Sequence, residues 1–255
     1  MVNNVYLYWE GSDYKLIKVL RKLIYLHSTT GNGYKVHLIK HSNVKQYVPD
    51  LPDYFYKLNY ANQSDYIRVC VVCEYGGIWL DSDTLIMDSM DQIIAMLHTH
   101  QGFFIRQNNK ELCNGVFGSQ AKTPLMLEWK RRMIEILESK ESIHWTEIGN
   151  TILEKIDSSY YNNYVLLNGL NTVYPVNWDK CESEFIDKPY DNYKSLVRNF
   201  QPFLVLVNAV YKRCEHLSEY ELYNGTMPIH HFIRKSIENK NIANQQLRFQ
   251  QAFYK

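Results

Sequence analysis

The sequence predicts an α/β fold with a parallel sheet, and three observations carry that prediction. Val5-Tyr6-Leu7-Tyr8-Trp9 is an aromatic and β-branched run that reads as a buried strand. A helical stripe follows it and Tyr34 to Lys40 reads as a second strand, so the first 40 residues form a β-α-β unit of the kind that builds parallel sheets. Ile78-Trp79-Leu80-Asp81 is a short apolar run of strand length placed directly after a helix stop. At 255 residues the chain can bury about three quarters of its unfolded surface, and no Pro/Gly/Ser-rich linker divides it, so one domain is expected.

The elements follow in order. Ser12 is placed to cap the first helix, Leu16, Ile17, Leu20, Leu23 and Ile24 give its apolar stripe, and Thr29-Thr30-Gly31-Asn32-Gly33 ends it. Ser64 is read as the cap of the next long helix, with Ile67, Val71 and Val72 facing inward and Gly76-Gly77 as its stop. Thr123-Pro124 is a cap and first-turn pair for a helix through Leu137, and Thr146 to Ile156 reads as a shorter helix. Between 157 and 228, Tyr164–Leu167 and Phe203–Val207 read as strands and the remainder as loop. Pro228 to Phe232 reads as extended, which sends the rings of His230 and His231 to opposite faces.

Composition excludes several classes. Lys and Arg total 28 against 27 Asp and Glu, for a net charge of +1, so nothing draws the whole chain to nucleic acid. No basic leader precedes an apolar run, and no stretch approaches the roughly 20 apolar residues of a membrane span; a protein with no transmembrane segment is expected. The 5 cysteines are odd in number and scattered, which predicts reduced thiols and a cytoplasmic location rather than a disulfide framework. Cys70-Val71-Val72-Cys73 lies within an apolar helix and reads as packing.

Chemistry concentrates at Asp81-Ser82-Asp83. In a straight strand two carboxylates two residues apart share a face, and such a pair calls for a counterion. Mg²⁺ or Mn²⁺, bridged to phosphate oxygens, is the usual answer at the carboxyl end of a strand. Alone, D-x-D equally describes a solvated acidic turn. Its surroundings are more specific: Ala61, Ser64, Asp65 and Arg68, then Tyr75-Gly76-Gly77-Ile78-Trp79-Leu80-Asp81-Ser82-Asp83, form one spaced pattern.

That pattern, close over residues 60 to 97, strongly resembles glycosyltransferase family 32. Weaker correspondences follow in the same chain order at Tyr8-Trp9-Glu10-Gly11, Asn114 to Gly118, Trp145 to Gly149 and Ile229 to Phe232. The resemblance implies a GT-A-type single domain, with a Rossmann-like, mixed but mostly parallel sheet flanked by helices. It also implies metal-dependent, retaining transfer of a hexose or N-acetylhexosamine to a glycan or lipid-linked acceptor. The donor would be a nucleotide-diphosphate sugar, a UDP-sugar first and a GDP-sugar second, with Mn²⁺ or Mg²⁺ as cofactor. Residues 1–120 would bind donor and metal, and 121–255 would serve the acceptor and support the metal and diphosphate.

Carried onto this chain, Asp83 is the direct metal ligand, and Asp81 meets the donor hydroxyls and approaches the metal. Asp65 and Arg68 hold sugar hydroxyls, and Asn114 sits beside the transferred sugar. Tyr8, Trp9 and Trp79 belong to the donor site, with Trp9 near the base. His230 supports the metal or diphosphate, with His231 as the alternative ring. The family's Ser-Trp pair is absent, since the chain reads Ile233-Arg234-Lys235-Ser236-Ile237, and Arg234 or Lys235 takes the diphosphate role instead. Glu147 is either an acceptor-orienting carboxylate or a first-turn partner of a helix dipole. Two readings compete: a haloacid-dehalogenase-like phosphatase with Asp81 as nucleophile, and an inactive transferase fold that binds sugar.

Overall fold

The computed structural model describes residues 3–28, 33–107, 111–140, 142–169, 173, 176, 180–187, 204–208 and 210–253. They divide into two compact units. The first takes Met1–Gly11, Lys35–Asp81 and Gln92–Asn168, and the second takes Ser12–Tyr34, Ser82–Asp91 and Gly169–Lys255. Each unit therefore draws on both of the expected halves, 1–120 and 121–255.

The first unit is built on a six-stranded sheet. Its strands are β1 (Asn4–Tyr8), β2 (Lys35–Ile39), β3 (Gly77–Leu80), β5 (Gly102–Gln107), β6 (Glu111–Ser119) and β7 (Tyr164–Asn168), in the order β2-β1-β3-β6-β5-β7. β1 pairs in parallel with β2 and β3, and β5 with β7, while β6 runs antiparallel to both β3 and β5. This is the mixed, mostly parallel sheet expected. β1 is buried from Val5 to Tyr8, as a strand covered on both faces must be.

Helix α3 (Tyr60–Tyr75) is buried along almost its whole length, and its buried residues include Asn62, Gln63, Asp65 and Arg68. It starts earlier than the sequence reading had it. Asn59 is the cap, its side chain accepting from the Asn62 N–H, and Ser64 lies inside the helix. A helix covered on nearly all sides has no polar face to mark its beginning, which is why the apolar stripe misplaced it. Gly76 ends it with φ +65, and the glycine pair is tight as well as punctuating: a Cβ on Gly76 would come within 2.7 Å of the Ala121 nitrogen.

Helix α5 (Pro124–Ser139) begins at the expected Thr123 cap. Trp129 on it packs with Phe117 and Phe104, whose rings stack at 5.2 Å. The shorter helix is α6 (Asn150–Lys155), not Thr146 to Ile156; residues 146–149 are turns, so Glu147 is on no helix.

The second unit holds α1 (Lys15–His27), a two-stranded antiparallel sheet of β4 (Thr84–Ile86) and β8 (Leu204–Leu206), and helices α7 (Val210–Arg213), α8 (Glu219–Asn224) and α9 (Pro228–Phe253). Tyr14 precedes α1 without a side-chain cap, so Ser12 is not its cap; Asp13 instead pairs with Lys18 at 2.9 Å and Arg21 at 3.0 Å. The expected stop at 29–33 falls mostly on residues outside those described, as does Phe203. Residues 228–232 are not extended. Pro228 opens α9, and Ile229, Phe232, Ile233 and Ser236 are buried at helical spacing, so His230 and His231 are neighbours on a helix, not opposed across a strand.

Candidate active site

The first unit brings together five of the predicted residues: Asp65, Arg68, Trp79, Asp81 and Asn114. Asp65 and Arg68 share a face of α3, three residues apart, with an Nε–Oδ1 distance of 3.4 Å. Arg68 Nη2 reaches Asp81 Oδ1 at 3.0 Å, and Nη1 donates to the Asn114 carbonyl at 2.6 Å. Asn114 in turn donates from Nδ2 to Asp65 Oδ1 at 2.8 Å. Trp79 donates from its indole to Asp81 Oδ1 at 2.9 Å, and its ring lies 5.1 Å from the Arg68 guanidinium carbon.

Backbone irregularity delivers two of these groups. Pairing between β5 and β6 jumps from Phe104 with Phe117 to Ile105 with Cys113, leaving a bulge that contains Asn114. The bulge also presents the Gly115 carbonyl to the Asp81 N–H at 2.8 Å. Asp81 follows β3, and Ser82-Asp83 form a turn, so strand alternation does not govern the two carboxylates.

Burial sets the electrostatics. Asp65 and Arg68 are only 6% and 5% exposed. Desolvation raises the Asp65 pKa to about 6, opposed by Arg68 and by the Asn114 hydrogen bond. Asp81, half-buried, is raised by desolvation against the same Arg68. Two carboxylates face one guanidinium, so the ionised cluster carries one net negative charge and favours a partner that donates hydrogen bonds. Asp81 is engaged by Arg68 and Trp79 and is no free nucleophile, which argues against the phosphatase reading.

Three other predicted residues belong to the first unit as well. Tyr8 is buried and donates to Gln63 Oε1, and Trp9, half-buried, donates its backbone N–H to Ile39. Glu147 pairs with Lys140 and accepts from the His144 N–H at 2.9 Å, which keeps its pKa low. In the second unit Asp83 is half-buried on its turn and raises the Tyr211 pKa, behind burial. His230 is 3% exposed, and neither ring nitrogen finds a hydrogen-bond partner among the described residues. Burial and the adjacent Arg234 lower its pKa. Arg234 itself donates to the carbonyls of Tyr223 at 3.0 Å and Gly225 at 2.9 Å.

For a metal, carboxylate oxygens are the right donors for Mg²⁺ or Mn²⁺, which complete their shells with water and phosphate oxygens. Two carboxylates thus suffice, and among the described residues no group of three or more His, Cys, Asp or Glu side chains converges. Sequence reasoning missed two members of the cluster. Ser64, read as a cap, accepts from Arg68 Nη2 at 2.9 Å. Gly149, the last residue of the Trp145-Gly149 segment, lies against Asp65 and Asn114.

A family model described as capsular polysaccharide synthesis protein matches residues 2–144, more than half of the chain. The chain belongs to that family. Asp65, Arg68, Asp81 and Asn114 of this capsular polysaccharide synthesis family member all fall within the matched residues. No curated protein matches the chain. Among solved structures it is similar to a glycosyltransferase involved in the glycosylation of the major capsid of PBCV-1. The two are 10% identical over 91% of this chain and 99% of that one, with a TM-score of 0.52. It is also similar to the apo-form glycosyltransferase GlyE of Streptococcus pneumoniae TIGR4, 11% identical over 98% of this chain, with a TM-score of 0.54. The chain spans 64% of GlyE's length. The family member has the GT-A-type fold of these glycosyltransferases. Among its described residues no helix is long and apolar enough to cross a membrane.

Proposed function

We propose that this chain is a glycosyltransferase that moves a sugar from a nucleotide-diphosphate donor, and that Asp65, Arg68 and Asn114 grip the sugar being moved. The observation that carries this reading is the buried Arg68 guanidinium, shared among Asp65, Asp81 and the Asn114 carbonyl. Acceptors and donors desolvated together and held at set separations suit vicinal hydroxyls, and they need no rearrangement as the bond to the leaving group breaks. The fold of the two similar glycosyltransferases and the polysaccharide-synthesis family support the reaction class.

The finer reading follows the family 32-like pattern: a UDP-sugar before a GDP-sugar, a hexose or N-acetylhexosamine, retention of configuration, and a glycan or lipid-linked acceptor. Asp83 is the proposed ligand of Mn²⁺ or Mg²⁺, with Asp81 beside it in the motif. A bound cation would stabilise the charge that builds on the leaving diphosphate. Around it the chain's own groups orient and hold: Asp65 accepts from sugar hydroxyls, Arg68 donates to them, and Glu147 is the proposed acceptor-orienting carboxylate. All five cysteines are buried thiols, in keeping with a cytoplasmic setting.

Calorimetric titration with UDP-glucose, UDP-N-acetylglucosamine and GDP-mannose, with and without Mn²⁺, tests the proposal. One donor should bind, more tightly with Mn²⁺, and Asp83→Asn should lose that Mn²⁺-dependent gain with an unchanged thermal midpoint, because Asp83 lies on a turn. Binding of none of these donors would overturn the reading. Binding with neither transfer nor donor hydrolysis would point to a sugar-binding module.

A further inference from the structure

Gly149, at φ −100 and ψ −111, has no room for a side chain. A Cβ built there would overlap Asn114 Nδ2 and come within 3.0 Å of Asp65 Oδ2, the other oxygen of the carboxylate that Asn114 holds. The turn that carries Gly149 cannot back away. Ile148 is fully buried, its carbonyl accepts from the Trp129 indole at 3.0 Å, and the Gly149 N–H is tied to the Thr146 carbonyl at 3.2 Å.

On the opposite side, the Asn114 backbone is held by Arg68 through its carbonyl, whereas its amide is the free end of a short side chain. A methyl group at 149 would therefore swing the Asn114 amide off Asp65. We propose that Gly149 is a positioning residue of the sugar clamp, its missing side chain leaving the room in which Asn114 is seated on Asp65. The inference rests on the glycosyltransferase reading and extends it to a residue that touches no substrate.

The test is a double-mutant cycle on the full chain, with affinities for UDP-glucose and UDP, and for GDP-mannose and GDP, measured by calorimetry. Gly149→Ala should weaken the bound nucleotide sugar by about tenfold or more, the scale of a charge-assisted hydrogen bond. Its affinity for the bare diphosphate should stay within about twofold, a split that general destabilisation would not produce. Asn114→Ala should show the same split, and Gly149→Ala with Asn114→Ala should be no weaker than Asn114→Ala alone, since the group displaced is already gone. Equal losses for sugar and diphosphate, no loss in the single variant, or multiplying losses in the double would each overturn the proposal. If Gly149→Ala alone fails to fold, the comparison of Asn114→Ala with the double variant decides, because the overlapping amide is absent from both. Wild-type protein that binds no nucleotide sugar would overturn the functional reading itself, and the positioning role with it.

Discussion

Two buried polar clusters, one in each unit, meet burial in opposite ways. In the first unit, Asp65 and Arg68 enter the interior as a charged pair, and Asp65, with a pKa of about 6, is ionised at neutral pH despite being only 6% exposed. In the second, His27 is 1% exposed and bonds through Nε2 to Ser236 Oγ at 3.1 Å. Burial, joined by nearby Lys240, takes its pKa down to about 4. His230 is lowered in the same way by burial and Arg234. An opposing charge at contact distance lets the interior keep ionised groups that a ligand can use, and without one the ring gives up its proton and serves the scaffold.

The strongest way to break this comparison is to remove Arg68. Arg68→Ala leaves Asp65 and Asp81 without the guanidinium they share. It should lower the unfolding free energy by about 3 to 5 kcal/mol and take transfer below detection. Arg68→Lys should recover little transfer, because an ammonium cannot span both carboxylates and the Asn114 carbonyl as a fork does. Urea denaturation with a transfer assay reads both effects, and an Arg68→Ala protein as stable as wild type would show that the pair is not held as described.

The second cluster is sharpened by pH. His27 is neutral in the native state to about pH 4, while in the unfolded chain it takes a proton near 6.5. Between those values the unfolded state binds more protons. Stability contributed by the neutral ring is thus complete above 6.5 and is lost as pH falls toward 4, by about 3 kcal/mol. His27→Gln should start from lower stability, through the loss of the Ser236 bond, but should flatten this window in denaturation curves between pH 7 and 4.5. An unchanged slope would assign the acid sensitivity to other groups.

The smallest effect is expected at an exposed pair. Glu147→Gln loses the Lys140 ion pair, which should change stability by less than about 1 kcal/mol. If Glu147 orients the acceptor, transfer falls while donor affinity holds. Steady-state kinetics with both substrates varied would reveal a drop confined to the acceptor side, and unaltered kinetics would reduce Glu147 to a turn-stabilising carboxylate.

Legibility followed the range of the signal. β1, α1 and β2, the Thr123 cap and the Gly76 stop rest on spacings of a few residues, and each appears where periodicity or a breaker put it. Ser64 was misleading because a serine favours a cap wherever the chain turns, and here the chain turns at Asn59. The helix at Pro228 was legible in principle: Ile229, Phe232, Ile233 and Ser236 carry a helical spacing that the short run Pro228 to Phe232 concealed.

By itself the sequence determined the α/β class and the strand-end position of Asp81. It also determined the side chains of the cluster, since D-x-D, the Asp65 and Arg68 spacing and the double glycine are local and covalent. Tertiary structure alone decided what they face. Arg68 meets a carbonyl 46 residues away, on a bulge that no local propensity announces, and Gly149 closes on Asp65 from a turn still further along the chain. Spacing along a helix or strand is dictated by backbone geometry and can be counted in advance. Contacts between distant segments depend on how the whole core packs, and there an empty Cβ position at Gly149 weighs as much as a charge.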